Sequence, residues 1–279
     1  MQRNIKKIFH SRLTTDGAGV SLNRVFSNPQ VPEFDPFLLL DAFGSNDKTK
    51  YIRGFPWHPH RGIETITYIL HGSVEHGDSM GNEGIIHSGD VQWMTAGSGI
   101  VHQEMPKGND EGLFYGFQLW ANLPSEQKMI SPKYRDVKST EIPVVEPGNG
   151  IRIRIISGSI SGITGPVKDI AINPEYYDIS VPANTSYKHY TIPAHTCFAY
   201  IFEGSATFAN GKLIEQGNVV LFEDGEFIEV TTKSDGVRFL FITGKPLNEP
   251  VAWYGPIVMN TEEELKIAFE EYERGTFIK

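Results

Sequence analysis

Two stretches of this chain repeat one another, which limits the fold to a duplicated unit. The segment ETITYILHGSVEH from Glu64, leading to HSGDVQWM at His87–Met94, matches CFAYIFEGSATFA from Cys197, leading to EQGNVVLF at Glu215–Phe222. In each, an apolar strand ends at a glycine (Gly72, Gly204), a hairpin follows, and a second glycine (Gly89, Gly217) turns into another apolar strand. The offsets between matching glycines, 132 and 128 residues, differ by a loop change that a hairpin tolerates. Around the repeat, 28 glycines and 17 prolines punctuate short runs rich in Val, Ile, Thr, Phe and Tyr. Such punctuation marks an all-β sandwich or barrel. Two β-domains are expected, residues 1–141 and 150–279, divided in IPVVEPGNG (Ile142–Gly150) after a polar connection, SEQKMISPKYRDVKST. One helix is expected at the end of the chain. Thr261 and Glu264 have capping-box spacing, and Leu265, Ala268, Phe269 and Tyr272 follow on one face. The sequence does not say which domain that helix docks on.

The chemistry-bearing residues fall in the first repeat. HPHRGIE (His58–Glu64) puts two imidazoles at i and i+2, on one face of an extended strand. GSGIVHQEM repeats that spacing with His102 and Glu104. An isolated His-x-His is more often structural, but two such pairs beside glycines in one repeat unit can supply three neutral nitrogens and a carboxylate to a divalent metal. Glu64 is a second candidate acid, sharing the strand face of His58 and His60 by parity. Gln118, in FQLW, is a candidate for the same interior, either orienting a bound molecule or as a buried structural amide. Phe55, Trp57, Trp93 and Met94 supply apolar surface near these motifs, while His71, His76 and His87 sit in turns and are expected in solvent. The second repeat has Tyr190 and Ile192 where the first has His58 and His60, and its His189 and His195 are six residues apart. It is expected to be metal-free.

These motifs resemble one family. FPWHPHRGIETITYILHG followed by GDVQWMTAGSGIVHQEMP is similar to the signature of the pirins, bicupins of the cupin superfamily. DPFLLLDAF (Asp35–Phe43), GFQLWANL (Gly116–Leu123) and GPIVMNTEEE (Gly255–Glu264) extend the likeness over nearly the whole chain. The resemblance implies two tandem cupin β-barrels with a C-terminal helix. It further implies iron(II) held by His58, His60, His102 and Glu104, a donor set that Mn, Co, Ni or Zn also suits. General cupins take the carboxylate from HxHxxxE, here Glu64. The pirin pattern selects Glu104 and leaves Glu64 and Gln118 to a supporting shell. The implied activity is that of a quercetin 2,3-dioxygenase, an oxidoreductase cleaving a flavonol with dioxygen, Glu104 being its base. The alternative is a non-enzymatic, redox-sensing regulator with a protein partner.

Composition narrows the partners. The 25 basic and 34 acidic residues give a formal charge of −9, which disfavours direct nucleic-acid binding. No apolar stretch reaches the 18 or so residues of a membrane span, and the basic start MQRNIKKIFH lacks an apolar core of an export signal. With a single cysteine, Cys197, no intrachain disulfide can form. A cytoplasmic location is expected, or a nuclear one for the regulator in a eukaryote.

Overall fold

A computed structural model of the chain describes residues 1–209 and 211–279. Nearly every element is a β-strand, and contacts divide the chain into two compact units that interleave in sequence. One comprises Arg12–Val31, Phe37–Ser139 and Leu247–Lys279. The other comprises Met1–Ser11, Pro32–Pro36 and Thr140–Pro246. Contacts thus group the two terminal segments otherwise than a linear division at 1–141 and 150–279 would. Strand β1 (Ile5–His10) pairs antiparallel with Asn218–Phe222, because its half-buried Ile5 and Ile8 pack on the apolar core of the later unit. The C-terminal helix, Glu262–Glu273, packs on the hairpin Ala252–Tyr254/Ile257–Met259 of the earlier unit.

In the earlier unit the strands are β2 (Arg12–Asp16), β3 (Val20–Phe26), β4 (Phe37–Ser45), β5 (Phe55–His60), β6 (Ile63–His71) and β7 (Ser73–Asp78). They continue with β8 (Glu83–His87), β9 (Val91–Thr95), β10 (Ile100–Lys107), β11 (Phe114–Asn122) and β12 (Lys133–Val137). Seven form a sheet in the order β12-β9-β6-β11-β4-β3-β2, and four form a second in the order β5-β10-β7-β8. Strand β12 lies within the stretch read as a polar connection. Its sequence, KYRDV, pairs with Val91–Thr95 and half-buries Tyr134.

The glycines of the repeat hold equivalent turns. Gly72 and Gly204 have φ of +88° and +70°. A Cβ would lie 2.4 Å from the Lys107 carbonyl oxygen at the first and 2.0 Å from that of Gly236 at the second. No other residue fits such a turn.

The capping box forms as the sequence predicts, Thr261 and Glu264 each accepting from the other's backbone N–H. Leu265 and Ala268 are buried, whereas Tyr272, on the predicted apolar face, is 41% exposed. Arg61 ties the C-terminal segment down. It is 2% exposed, donates to the Ser98 and Phe277 carbonyls at 2.6 and 2.9 Å and to Glu271 at 2.7 Å, and its guanidinium lies 4.2 Å from the Phe277 ring centroid. Cutting Arg61 to alanine leaves the Ser98 and Phe277 carbonyls without this donor and removes a buried, well-packed side chain, so Arg61→Ala is expected to cost about 3 kcal/mol, read from the urea midpoint of the earlier unit.

In the later unit Ile153, Ile155, Ile179, Cys197, Phe239 and Phe241 build an apolar core, Cys197 being fully buried as an ordinary small residue. His189 is buried against it, 4.7 Å from the Phe241 centroid, with Nδ1 2.7 Å from the Tyr187 hydroxyl. Burial lowers its pKa to about 4. The unfolded chain takes up this proton near the ordinary histidine value and the folded chain only near 4. Stability is therefore lost as pH falls from about 6.5 to 4, by up to about 3 kcal/mol. His189→Gln should flatten the stability–pH curve in that window. An unchanged slope would mean the ring is not held neutral.

Candidate metal site

Strand β5 is the edge of its sheet, which is why it accommodates Pro56 and Pro59, residues that cannot donate to a ladder. Across it, His102 on β10 lies opposite His58, and Ile100 opposite His60. The register then slips, setting Glu104 opposite Phe55, a bulge that re-aims the end of β5. On β10, burial alternates so that Ile100, His102, Glu104 and Pro106 face inward.

The three imidazoles converge, with ring centroids 4.8 Å apart for His58–His60, 4.4 Å for His58–His102 and 5.0 Å for His60–His102. Among the described residues, these three are the group of His, Cys, Asp or Glu ligand atoms that gathers within 4.8 Å. His58 Nδ1 is 2.8 Å from the Pro56 carbonyl and His60 Nδ1 3.0 Å from that of Pro256. A carbonyl only accepts, so each Nδ1 carries the proton and each Nε2 presents a lone pair. Those two Nε2 atoms are 3.1 Å apart. Burial, then the neighbouring His58, holds the His60 pKa well below the ordinary value, so His60 itself does not take up a proton there. His102 is depressed likewise by burial and then by the other imidazoles, and neither of its ring nitrogens has a hydrogen-bond partner. Buried and half-buried ring nitrogens converging on one point suit a shared cation.

Glu104, two residues after His102 on the same inward face of β10, is buried but its carboxylate is not among the atoms that gather within 4.8 Å. Its carboxylate accepts from Gln118 Nε2 at 3.1 and 3.0 Å and from Thr67 Oγ1 at 3.1 Å, which fixes its orientation. Gln118 thus reaches the interior that the sequence assigned to it. Glu64 does not. The chain turns at Gly62 (φ +77°), so strand parity is not carried from His60 to Glu64. The Glu64 carboxylate accepts instead from Trp93 Nε1 at 3.1 Å and Thr95 Oγ1 at 2.6 Å, on the face of β6 opposite Thr67. Trp93 is buried with it, Met94 packs in the core with Ile63 and Ile100, and Trp57 is 53% exposed. Of the four apolar residues named from the sequence, Phe55 lines the cavity described below.

A row of polar side chains missed in the sequence crosses the seven-stranded sheet under Glu104. Arg24 pairs with Asp41, Asp41 with Gln118, Gln118 with Thr67, Thr67 with Gln92 and Gln92 with Asp136, each directly across from the next. Directly opposed residues share a sheet face. Asp41, Thr67, Gln92 and Gln118 are all buried. Arg24 binds Asp41 through Nε at 3.0 Å and Nη2 at 2.8 Å, and Gln92 Nε2 donates to Asp136 at 3.0 Å. His76, expected in solvent, is buried opposite Glu104, stacked on Tyr134 and 3.5 Å from Asp136, while His71 and His87 are exposed as expected. The signal for the row was a lone polar residue inside each apolar strand: Asp41 in FLLLDAF, Gln92 in VQWM.

A cavity of about 490 Å³ opens on His58 and His60. Its walls are Leu39, Phe55, Trp120 and Trp253, and Asp16, Arg24, Asp41 and Gln118 also line it. Trp120 stands edge-on to His60, with centroids 5.0 Å apart, and its indole N–H is unpartnered. A cavity of this size and polarity suits a small, mostly apolar molecule.

Two tandem barrels, one holding three convergent histidines, define a bicupin. The family model described as Pirin matches residues 19–121, and that described as the Pirin C-terminal cupin domain matches residues 176–278. The chain is 41% identical over 276 residues to a pirin-like protein of Caulobacter vibrioides, covering 99% of each. It is 31% identical, with a TM-score of 0.91 over 99% of both chains, to the crystal structure of a quercetin 2,3-dioxygenase from Acinetobacter baumannii. A bacterial pirin of Escherichia coli solved with nickel(II) shares the fold at a TM-score of 0.66 and 21% identity, over 86% of this chain and 98% of that one. The chain belongs to the pirin family.

Replacing Gln118 by the near-isosteric methionine removes two hydrogen bonds to a buried carboxylate. Gln118→Met is expected to lower the stability of chelator-treated protein by about 2 kcal/mol, measured in urea. A loss under about 0.5 kcal/mol would mean that Glu104 finds other donors.

Proposed function

We propose that this protein is a mononuclear metal-dependent dioxygenase of the quercetin 2,3-dioxygenase type, with His58, His60, His102 and Glu104 as the metal's ligands. The observation that carries the metal site is the pair of Nε2 lone pairs of His58 and His60, 3.1 Å apart with both Nδ1 protons committed elsewhere. The activity is supported by the likeness to the Acinetobacter baumannii enzyme over 99% of both chains and by the cavity beside the histidines. Iron(II) is the metal we assign, and when bound it would supply Lewis acidity toward a phenolic oxygen and one-electron chemistry toward dioxygen.

The chain's own residues account for the rest. Trp120, Trp253, Leu39 and Phe55 sandwich a flat aromatic ligand and exclude water from it. Glu104, its oxygens oriented by Gln118 and Thr67, accepts the proton of the flavonol hydroxyl. The Pro56 and Pro256 carbonyls fix the tautomer and ring plane of His58 and His60.

Iron(II)-loaded protein should bleach the quercetin absorbance only when dioxygen is present, releasing carbon monoxide. His60→Ala should retain under a tenth of the wild-type metal by elemental analysis, and Glu104→Gln should slow turnover by roughly 10²-fold. Fully loaded protein that leaves the flavonol spectrum unchanged in air would sink the enzymatic reading.

A further inference from the structure

The proposed reaction uses the histidine side of the cavity, yet the same cavity is lined by a charged group with no part in that chemistry: Asp16, Arg24 and Asp41. Arg24 donates to both oxygens of Asp41 and, through Nη2, to Asp16 Oδ2 at 2.7 Å. None of these bonds uses its Nη1. The other Asp16 oxygen accepts from the Gly17 backbone N–H at 2.7 Å. One guanidinium is thus shared by two carboxylates, and the group carries a net charge of about −1 with its positive charge already matched. An anionic ligand is repelled there. A ligand that donates hydrogen bonds to the carboxylates, and accepts one from the guanidinium, is welcomed.

Register places this group at a set distance from the proposed chemistry. Gln118, which touches Glu104, faces Asp41 directly across strands, and Asp41 faces Arg24 in turn. Strands are spaced about 4.8 Å apart, so Asp41 lies roughly 5 Å from Gln118 and the Arg24 backbone roughly 10 Å, with the guanidinium reaching back to Asp41. That range spans the separation between a flavonol's 3-oxygen and the hydroxyls of its distal ring. Resting on the functional reading above, we infer that Asp16, Arg24 and Asp41 form the specificity-determining end of the cavity, which selects a ligand whose distal ring bears two adjacent hydroxyls. One hydroxyl donates to an aspartate carboxylate while its neighbour accepts from Arg24. A distal ring bare of hydroxyls makes neither bond, and one bearing a carboxylate has no donor for the aspartates and is repelled by them.

The test is equilibrium binding without turnover, by absorbance titration of iron(II)-loaded protein under strict anaerobiosis. The probes are quercetin, whose distal ring is a catechol, and galangin, the same flavonol core with an unsubstituted ring. Quercetin should bind at least tenfold more tightly. Asp16→Asn, at a half-exposed position that should fold normally, removes one carboxylate and should shrink the preference to threefold or less. Equal affinity for the two flavonols, or an undiminished preference in Asp16→Asn, overturns the assignment of this group while leaving the flavonol reading intact. Binding of neither flavonol overturns the flavonol reading, and this inference with it.

Discussion

Two imidazole lone pairs held 3.1 Å apart are an unfavourable arrangement, and much of the site-bearing unit serves to maintain it. His58 is set by the carbonyl of Pro56, two residues back on the same edge strand, but His60 depends on Pro256, nearly two hundred residues away in sequence. The C-terminal segment must therefore cross the barrel at the site, and it does so with little clearance. A Cβ on Gly62 would fall 2.0 Å from the Val258 carbonyl oxygen. Lys128, almost fully buried, donates to the Gly62 and Val258 carbonyls at 2.9 and 3.1 Å and to Asn122 at 2.7 Å. Burial draws its pKa down to about 8, a cost accepted to stitch the turn after His60 to the crossing segment. Arg61 makes the same connection from the neighbouring position.

The buried polar row answers a second problem, how Glu104 keeps one orientation inside a barrel. A carboxylate surrounded by hydrocarbon would be strongly penalised, and one with a single flexible donor would rotate. Gln118 and Thr67 supply donors from adjacent strands whose register is fixed by continuous pairing, so the hydrogen bonds inherit the rigidity of the sheet. The row then ends at groups with access to solvent, Arg24 with Asp16 on one side and Asp136 on the other, where charge costs less.

What could be read from the sequence was what local pattern encodes. The repeat, its turn glycines and the helix cap depend on spacings of a few residues, and each forms as predicted. The His58/His60 and His102/Glu104 pairs each share a face for the same reason, since parity holds within an unbroken strand. It failed for Glu64 because Gly62 and a new strand intervene. The polar row escaped notice because opposition of Asp41, Gln118, Thr67 and Gln92 is a matter of register between strands far apart in sequence. The exchange of terminal segments escaped for a related reason. A six-residue strand such as Ile5–His10 carries no mark of which sheet it will join, and only its contact with the later core decides.

The two halves show how a duplicated fold divides labour. Turn glycines recur because each places a backbone against a carbonyl, a constraint set by topology and indifferent to what fills the barrel. The interior obeys no such constraint. In the later unit, the core positions carry mainly Ile, Val, Phe, Cys and Tyr, and His189, buried against them, is hydrogen-bonded to Tyr187 and packed edge-on against Phe241. An interior filled this way gains stability from apolar burial but leaves little room for convergent donors. In the earlier unit the corresponding space holds Glu104, the polar row and an open cavity, forgoing part of that burial. The apolar interior of one unit and the polar interior of the other are thus alternative uses of the same strand-and-turn frame, and the donor set falls where the frame was left polar.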